Sequence, residues 1–83
     1  MIEQTANPRV LIEHVAKSLV NAPDEVSVEE IDEDGTMVLE LEVAEQDMGR
    51  VIGKSGKVAR AMRNLLQVAG GKLNRRYELE ILE

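Results

Sequence analysis

The sequence contains no cysteine, phenylalanine or tryptophan, and Tyr77 is its only tyrosine. Without cysteine the chain cannot form disulfides, thiolate metal sites or a thiol nucleophile, and it suits a reducing compartment. A nucleic-acid or sugar binder built on aromatic stacking is also excluded. The single histidine, His14, has no second histidine or cysteine as a co-ligand. We therefore predict a surface position for His14, no metal site, and no Ser/His/Asp arrangement.

Long apolar segments are missing as well. No apolar run approaches the roughly 18 residues that a membrane span needs. The first ten residues, MIEQTANPRV, lack a basic region followed by an apolar core. We expect a soluble, cytoplasmic protein with no membrane partner. With 83 residues and 43% hydrophobic composition, one domain over residues 1–83 is expected. So small an interior argues against an enzyme with a large catalytic cavity or a bound cofactor.

Acidic residues are concentrated in the first part of the chain. The net charge is −6, but residues 1–47 carry 13 acidic and 2 basic residues, whereas residues 48–83 carry 8 basic and 3 acidic ones. No acidic residue occurs between Met48 and Tyr77. Such asymmetry between halves is typical of nucleic-acid contact, although a solvated basic helix face gives the same pattern.

The first half reads as a helix followed by a hairpin. Asn7-Pro8 is a good helix start, and the periodic segment Val10–Val20 follows it. Val26 and Val28 alternate with polar residues as a short strand, and Thr36–Val43 is the clearest strand. Asp32-Glu33-Asp34-Gly35 is interpreted as the turn cluster of the hairpin, and the acidic run of residues 29–34 as a solvated turn that lacks the spacing of a calcium loop. The residues expected to pack inward are Leu11, Ile12, Val15, Leu19, Met37, Leu39, Leu41 and Val43.

Two helices and a strand are expected in the second half. A short helix starts near Glu45 and ends at Gly53, and a second runs from about Gly56 to Ala69, where Gly70-Gly71 ends it. Arg76–Leu82 alternates as the last strand. On the second helix, the expected packing face is Val58, Ala61, Met62, Leu65 and Ala69, opposite Lys57, Arg60, Arg63, Asn64 and Gln67.

The element order is therefore αββααβ, an α+β fold with a three-stranded sheet covered on one face by three helices. The other sheet face would display four glutamates, namely Glu40, Glu42, Glu78 and Glu80. An acidic face repels phosphate, so a polyanion would have to approach from the helical side.

The segment VIGKSGK, residues 51–57, lies between the two central helices and carries the clearest functional motif. Glycine permits a tight turn and close approach of another backbone. The N–H groups at the start of the following helix form an anion site, flanked here by Lys54 and Lys57. The pattern predicts phosphate-backbone contact without any bond being made or broken.

Two enzymatic phosphate-binding motifs fit less well. Dinucleotide binding requires G-x-G-x-x-G after a strand, and neither the spacing nor the strand is present. The segment GRVIGKS, residues 49–55, is one residue short of an NTPase loop, and residues 48–52 read as helix. No later strand offers an aspartate for magnesium, so nucleotide hydrolysis is not expected.

A GXXG loop between two helices resembles the KH domain, and VIGKSGKVARAMRNLL matches the pattern of an aliphatic pair, GXXG and an amphipathic helix. With the order αββααβ, the chain resembles a type II KH domain, which implies a mixed three-stranded sheet. The resemblance covers nearly the whole chain. The chain is similar to the KhpA family of small bacterial single-KH RNA-binding proteins. The chain departs from the family pattern at residue 45, because it has glutamate where the family is expected to have proline.

The resemblance implies a binding site for single-stranded RNA. Gly53, Lys54, Ser55 and Gly56 would clamp the backbone of about four nucleotides. The residues expected to add charge are Arg50, Lys57 and Arg60, and those expected to support an aliphatic groove for bases are Val51, Ile52 and Val58. Backbone groups of the strand beside the groove would read the bases weakly. Arg63, Arg75 and Arg76 are interpreted as solvated.

As a family member the protein is expected to be an RNA chaperone in post-transcriptional regulation, linked to cell-wall homeostasis and cell-length control. A homodimer, or a heterodimer with a second KH protein of the KhpB type, is expected because weak single modules gain from pairing. The alternative is a KH-fold protein–protein assembly module with little RNA binding of its own.

Overall fold

The computed structural model describes residues 7–83, and the elements follow the order αββααβ. Residues 1–6 lie outside this range. They belong to the ten-residue segment in which the sequence has no basic region followed by an apolar core. The helices and strands are α1 (Pro8–Leu19), β1 (Ser27–Glu33), β2 (Thr36–Glu42), α2 (Met48–Ile52), α3 (Lys57–Lys72) and β3 (Arg76–Ile81). The predicted order and the α+β class are confirmed.

The sheet is mixed, with the order β1-β2-β3. β1 pairs with β2 in antiparallel register, and β2 pairs with β3 in parallel register, so β3 lies at an edge. The parallel connection runs through α2 and α3, as a crossover connection requires. Leu39 and Leu41 of β2 are fully buried beneath the helices, and each contributes about 1.5–3 kcal/mol of hydrophobic stabilisation.

The hairpin differs from the sequence prediction in where it turns. β1 continues through Glu33, and only Asp34 and Gly35 form the loop, with φ angles of 54° and 90°. Two positive φ angles fit a type I′ turn, whose twist matches that of paired strands. Asp32 Oδ1 accepts a hydrogen bond from Gly35 N–H at 3.0 Å. The interpretation of residues 29–34 as a turn was therefore wrong, since most of them pair with β2.

α1 begins where the sequence indicated. Asn7 Oδ1 accepts hydrogen bonds from Arg9 N–H and Val10 N–H at 3.0 and 3.4 Å, and Pro8 occupies the first helical turn. The residues of α1 that are buried are Pro8, Ile12 and Ala16, whereas Leu11, Val15 and Leu19 are half-buried. His14 is exposed, as predicted.

α3 differs from the prediction in its end and in its packing face. It continues through Gly70 and Gly71 to Lys72, and the left-handed residue that follows is Asn74, with φ 58°. Gly70 is buried against the Tyr77 ring, so it serves helix–strand contact rather than termination. The buried stripe of α3 is Ala59, Met62, Leu66 and Gly70. Ala61 and Leu65, which were expected to pack inward, are exposed.

The second sheet face is acidic, as the sequence indicated. Glu29, Glu40 and Glu80 are aligned across the three strands in direct register. Partial burial raises the pKa of the Glu40 carboxyl above its ordinary value, and the negative charges of Glu80 and Glu29 raise it further. Three carboxylates in one row would repel a phosphate chain. The helical side is therefore the face that a polyanion can approach.

Candidate nucleic-acid interface

The GXXG loop, Gly53–Gly56, is a sharp reversal between α2 and α3. Gly53 has φ 78° and ψ 169°, a region that essentially only glycine occupies. Ser55 and Gly56 are both left-handed, with φ 58° and 74°. Gly53 N–H donates to Gly49 O at 2.9 Å, and Gly56 N–H donates to Gly53 O at 3.1 Å. The loop is thus held by its own backbone, while the Lys54 and Ser55 side chains are exposed.

The N-terminus of α3 opens directly from this loop. Gly56 is the N-cap residue, and no side chain caps the helix by a hydrogen bond. The first turn contains no acidic residue, and Lys57 is exposed at its start. Lys57 N–H donates to Lys54 O, and the start of this 16-residue helix, with no side-chain cap and two adjacent lysines, carries positive potential that attracts an anion. Phosphate contact at this loop stays a prediction.

A groove of about 560 Å³ runs from the loop along α3 and the free edge of β3. On the helical side it is lined by Ile52, Gly56, Ala59, Arg60 and Arg63, and on the strand side by Leu79, Glu80 and Ile81. Gly56, Arg60 and Arg63 recur at spacings of four and three residues, so they share one ridge of α3. The GXXG loop and the groove therefore form one continuous surface.

The free edge of β3 faces this groove. Leu82 N–H donates to Leu41 O at 2.9 Å, so the even-numbered residues of β3 direct their backbone N–H and C=O groups towards β2. In a parallel ladder the alternate residues then direct their N–H and C=O groups away from β2. On this outer edge Gln67 Nε2 donates to Tyr77 O at 2.9 Å, and Arg63 Nη2 lies 3.5 Å from Leu79 O. The N–H groups of Leu79 and Ile81 share this edge.

Arg63 is a candidate residue that sequence reasoning missed, because it was read as a solvated arginine. Its side chain is exposed, but it lies along the groove and reaches the edge of β3. The signal was available in the spacing, since residue 63 follows Gly56 by seven and Arg60 by three. Those steps place all three on one side of a helix.

The three aliphatic residues expected at the groove occupy different positions. Ile52 is half-buried and lines the groove. Val51 is fully buried, so it supports α2 from within the core and offers no surface. Val58 is half-buried and packs against Gly53 and the core. Ile52 is therefore the aliphatic residue among these three that a base could contact.

Arg50 is positioned by a buried carboxylate. Asp47 has no exposed surface, and its two oxygens accept hydrogen bonds from Asn21 N–H and Ala22 N–H at 3.1 and 3.0 Å. Arg50 Nε lies 3.7 Å from Asp47 Oδ1, yet the Arg50 side chain remains 53% exposed. Asp47 thus ties the end of α1 to the start of α2 and orients Arg50. From the sequence alone, Asp47 is an acidic residue near the start predicted for the short helix, where negative charge is favourable.

The strand side of the groove carries acidic residues that the sequence analysis did not assign to it. Glu78, Glu80 and Glu83 all contribute to its lining. The groove is therefore basic along α3 and acidic along β3. Among residues 7–83, no group of three or more histidine, cysteine, aspartate or glutamate side chains is arranged to hold a metal ion. Nor does any helix within that range have the length and apolar character needed to cross a membrane.

Solved structures show the same fold. A crystal structure of an Aquifex aeolicus Era variant bound to GDP.AlF4- superimposes with a TM-score of 0.64 at 20% identity, covering 89% of this chain and 29% of that chain. A second, of Era in complex with MgGDPNP and nucleotides 1506–1542 of 16S ribosomal RNA, gives 0.62 at 21% identity and covers 89% and 28%. The chain spans less than a third of either, so the likeness concerns this fold alone.

Sequence comparisons identify the family. The family model for the KH domain of KhpA/KhpB matches residues 9–81. RNA-binding protein KhpA of Clostridium acetobutylicum is 49% identical over 87% of this chain and 96% of its own length. RNA-binding protein KhpA of Borreliella burgdorferi is 43% identical over 99% and 100%. With the GXXG loop and the αββααβ order, these matches show that the chain belongs to the KhpA/KhpB KH-domain family and has the type II KH fold.

Proposed function

We propose that the protein binds single-stranded RNA, with the phosphate backbone on the GXXG loop and the bases in the groove beside it. The observation that carries the proposal is the continuity of the Gly53–Gly56 loop, the uncapped start of α3 and the groove between α3 and β3. Relatives named RNA-binding proteins support the same conclusion. The binding unit is the single KH domain over residues 1–83, and the chemistry is binding rather than catalysis.

The charge distribution orients the RNA in the groove. Phosphates lie on the helical side, beside Lys54, Lys57 and Arg60, because the glutamates of β3 repel them. Base edges then face β3, where the N–H groups of Leu79 and Ile81 act as donors. A glutamate such as Glu80 can accept from an exocyclic amino group. Arg50 adds charge at the α2 end of the loop.

A double variant with a matched control tests this proposal. Lys54→Asp with Ser55→Asp changes the charge by −3 at the loop, and aspartate tolerates the left-handed conformation of residue 55. Lys72→Asp with Asn74→Asp makes the same change at the far end of α3, where Asn74 also has φ 58°. We expect the loop variant to lose RNA crosslinking and the control to keep it, with both circular dichroism spectra unchanged. Retained crosslinking in the loop variant would overturn the proposal.

We further propose that the protein acts in the cytoplasm as an RNA chaperone in post-transcriptional regulation, paired with a second copy or with a KhpB-type KH protein. Roles in cell-wall homeostasis and cell-length control follow from the family resemblance. Pairing compensates for a site of about four nucleotides, since a linked second site raises the effective concentration. Sedimentation that shows only monomer at high concentration, with no co-purifying KH protein, would contradict the pairing.

A further inference from the structure

Gln67 joins α3 to the free edge of β3. Its side-chain Nε2 donates a hydrogen bond to Tyr77 O at 2.9 Å, and the residue as a whole is exposed. Because Gln67 follows Arg63 by four residues, it lies on the ridge of α3 that faces the groove. At 1.5 Å per residue it stands roughly 16 Å along the helix axis from Gly56 of the loop. The bond therefore crosses the crevice between α3 and β3 at the end away from the GXXG loop.

The crevice between α3 and β3 continues on both sides of this bond. Next to the groove lies a cavity of about 260 Å³, which is lined by Arg63, Leu66, Gln67, Glu78 and Leu79. Beyond it lies another of about 340 Å³, which is lined by Gln67, Gly71, Asn74, Arg75 and Arg76. Gln67 lines both cavities, so its side chain stands at the boundary between them.

Charge alone would draw an RNA strand past this boundary. The far cavity carries Arg75 and Arg76, whose guanidinium groups attract phosphate. Within residues 7–83 its lining includes no acidic residue, whereas glutamates line the groove itself. The Gln67 bridge is what stands between the groove and these two arginines.

The bridge also changes what the edge of β3 offers to a base. Tyr77, Leu79 and Ile81 direct their N–H and C=O groups away from β2. The Tyr77 carbonyl is already bonded to Gln67 at 2.9 Å, whereas Arg63 approaches Leu79 O only to 3.5 Å, beyond the usual range for such bonds. A base displaces the longer contact more easily. The part of the edge that bases can read therefore ends between Leu79 and Tyr77.

We propose that Gln67 sets the length of RNA that the groove accepts, because its bridge to Tyr77 closes the groove after about four nucleotides. A further nucleotide enters only if this hydrogen bond breaks, which typically costs about fivefold in affinity. A short side chain at residue 67 would open the passage to Arg75 and Arg76. This inference rests on the proposed RNA binding and specifies the strand length that the same site selects.

Gln67→Ala and Asn64→Ala test the proposal on the full chain. Both variants remove an amide side chain from the exposed surface of α3, but Asn64 lines none of the three cavities. Affinity is measured for oligoribonucleotides that share one mixed-sequence core and are extended at either end from four nucleotides upwards. We expect the parent chain and Asn64→Ala to gain little from extension, and Gln67→Ala to gain about fivefold from extension at one end.

The longer strand should also make contacts that a purely structural effect of the substitution would not create. In Gln67→Ala the slope of log affinity against log salt should steepen by about 0.7 with the longer strand, because one more phosphate reaches an arginine. The amide resonances of Tyr77 and Glu78 should shift with the longer strand in this variant and stay unmoved in the parent chain.

Two results would overturn the inference while RNA binding holds. The parent chain could gain as much from extension as Gln67→Ala does, in which case the bridge is no barrier. Gln67→Ala could reach its full affinity at the same length as the parent chain, with the Tyr77 amide unmoved, in which case another feature ends the site. If the parent chain bound no strand of any length, the proposed function would fail, and this inference with it.

Discussion

The backbone of Gly53 is packed against the side chain of Val58 so closely that a Cβ on residue 53 would overlap Val58 Cγ2 and lie 2.8 Å from Val58 N. This contact joins the first residue of the GXXG loop to the first turn of α3. Gly56 is different, because a Cβ there would meet only Arg60 Nη1, at an ordinary 3.6 Å. The two glycines of the motif therefore have different structural roles.

Gly53→Ala and Gly56→Ala should accordingly differ in the free energy of unfolding. Gly53→Ala combines a glycine-only conformation with a clash against backbone, so we expect a loss of about 2–4 kcal/mol. Gly56→Ala should lose about 1–2 kcal/mol, the cost of a left-handed alanine. Urea denaturation measures both, and an equal or smaller loss for Gly53→Ala would contradict the described contact.

The tandem glycines near the end of α3 should respond in opposite directions. A Cβ on Gly70 would lie 2.8 Å from Tyr77 Cδ1 and 2.9 Å from Arg75 O, whereas a Cβ on Gly71 would meet nothing within 4 Å. We expect Gly70→Ala to destabilise the protein by about 1–2 kcal/mol, since overpacking outweighs the gain in helix propensity. Gly71→Ala should stabilise it by about 0.5–1 kcal/mol. Thermal denaturation of the two variants decides this, and a shared sign would contradict the different surroundings described for the two glycines.

Those glycines also show where sequence reasoning fails. Gly-Gly usually ends a helix, so the prediction stopped α3 at Ala69. Packing against Tyr77 instead requires a residue without a side chain at position 70, and such a tertiary requirement cannot be read from local sequence. The packing face of α3 was missed for a related reason. Leu65 and Ala61 form a valid helical stripe, and nothing in the sequence indicates that Ala59 and Leu66 face the sheet instead.

Most of the fold and the loop could be predicted. The alternation in β2 and β3, the Asn7-Pro8 helix start and the GXXG segment each determine local structure through steric and hydrogen-bonding preferences. The groove could be predicted only in part, because its strand side depends on the edge position of β3. The role of Asp47 also required the structure, since its hydrogen-bond donors lie 25 and 26 residues away.

Glu40→Gln should stabilise the protein at pH 7. A carboxyl whose folded-state pKa is raised is stabilising only when protonated, so its favourable contribution is complete below the unfolded pKa and is lost as the pH rises through the raised value. At neutral pH Glu40 is therefore a net cost, which glutamine removes. The variant should melt at a higher temperature than the parent at pH 7, and the difference should shrink towards pH 4.

Glu42→Gln is the matched control, because Glu42 is exposed on the same sheet face at the end of β2. Its effect on the melting temperature at pH 7 should be the smaller of the two. If Glu40→Gln lowered the melting temperature at pH 7, the proposed repulsion among Glu29, Glu40 and Glu80 would be wrong.

Arg63→Gln should weaken RNA binding and reduce its dependence on salt. Removing one cation that neutralises a phosphate lowers the slope of log affinity against log salt by about 0.7 for a single strand. Arg76→Gln removes the same charge from the first residue of β3, outside the described groove lining, and should leave the slope nearly unchanged. Titrations of a labelled oligoribonucleotide at several salt concentrations provide the comparison, and equal slopes for the two variants would exclude Arg63 from the interface.

The most direct test of the RNA site is a map of backbone amide chemical shifts during titration with a short single-stranded oligoribonucleotide of mixed sequence. The account predicts that the largest changes occur at residues 53–57 and at Leu79 and Ile81 on the edge of β3. Changes restricted to the acidic sheet face, with the loop amides unmoved, would contradict it.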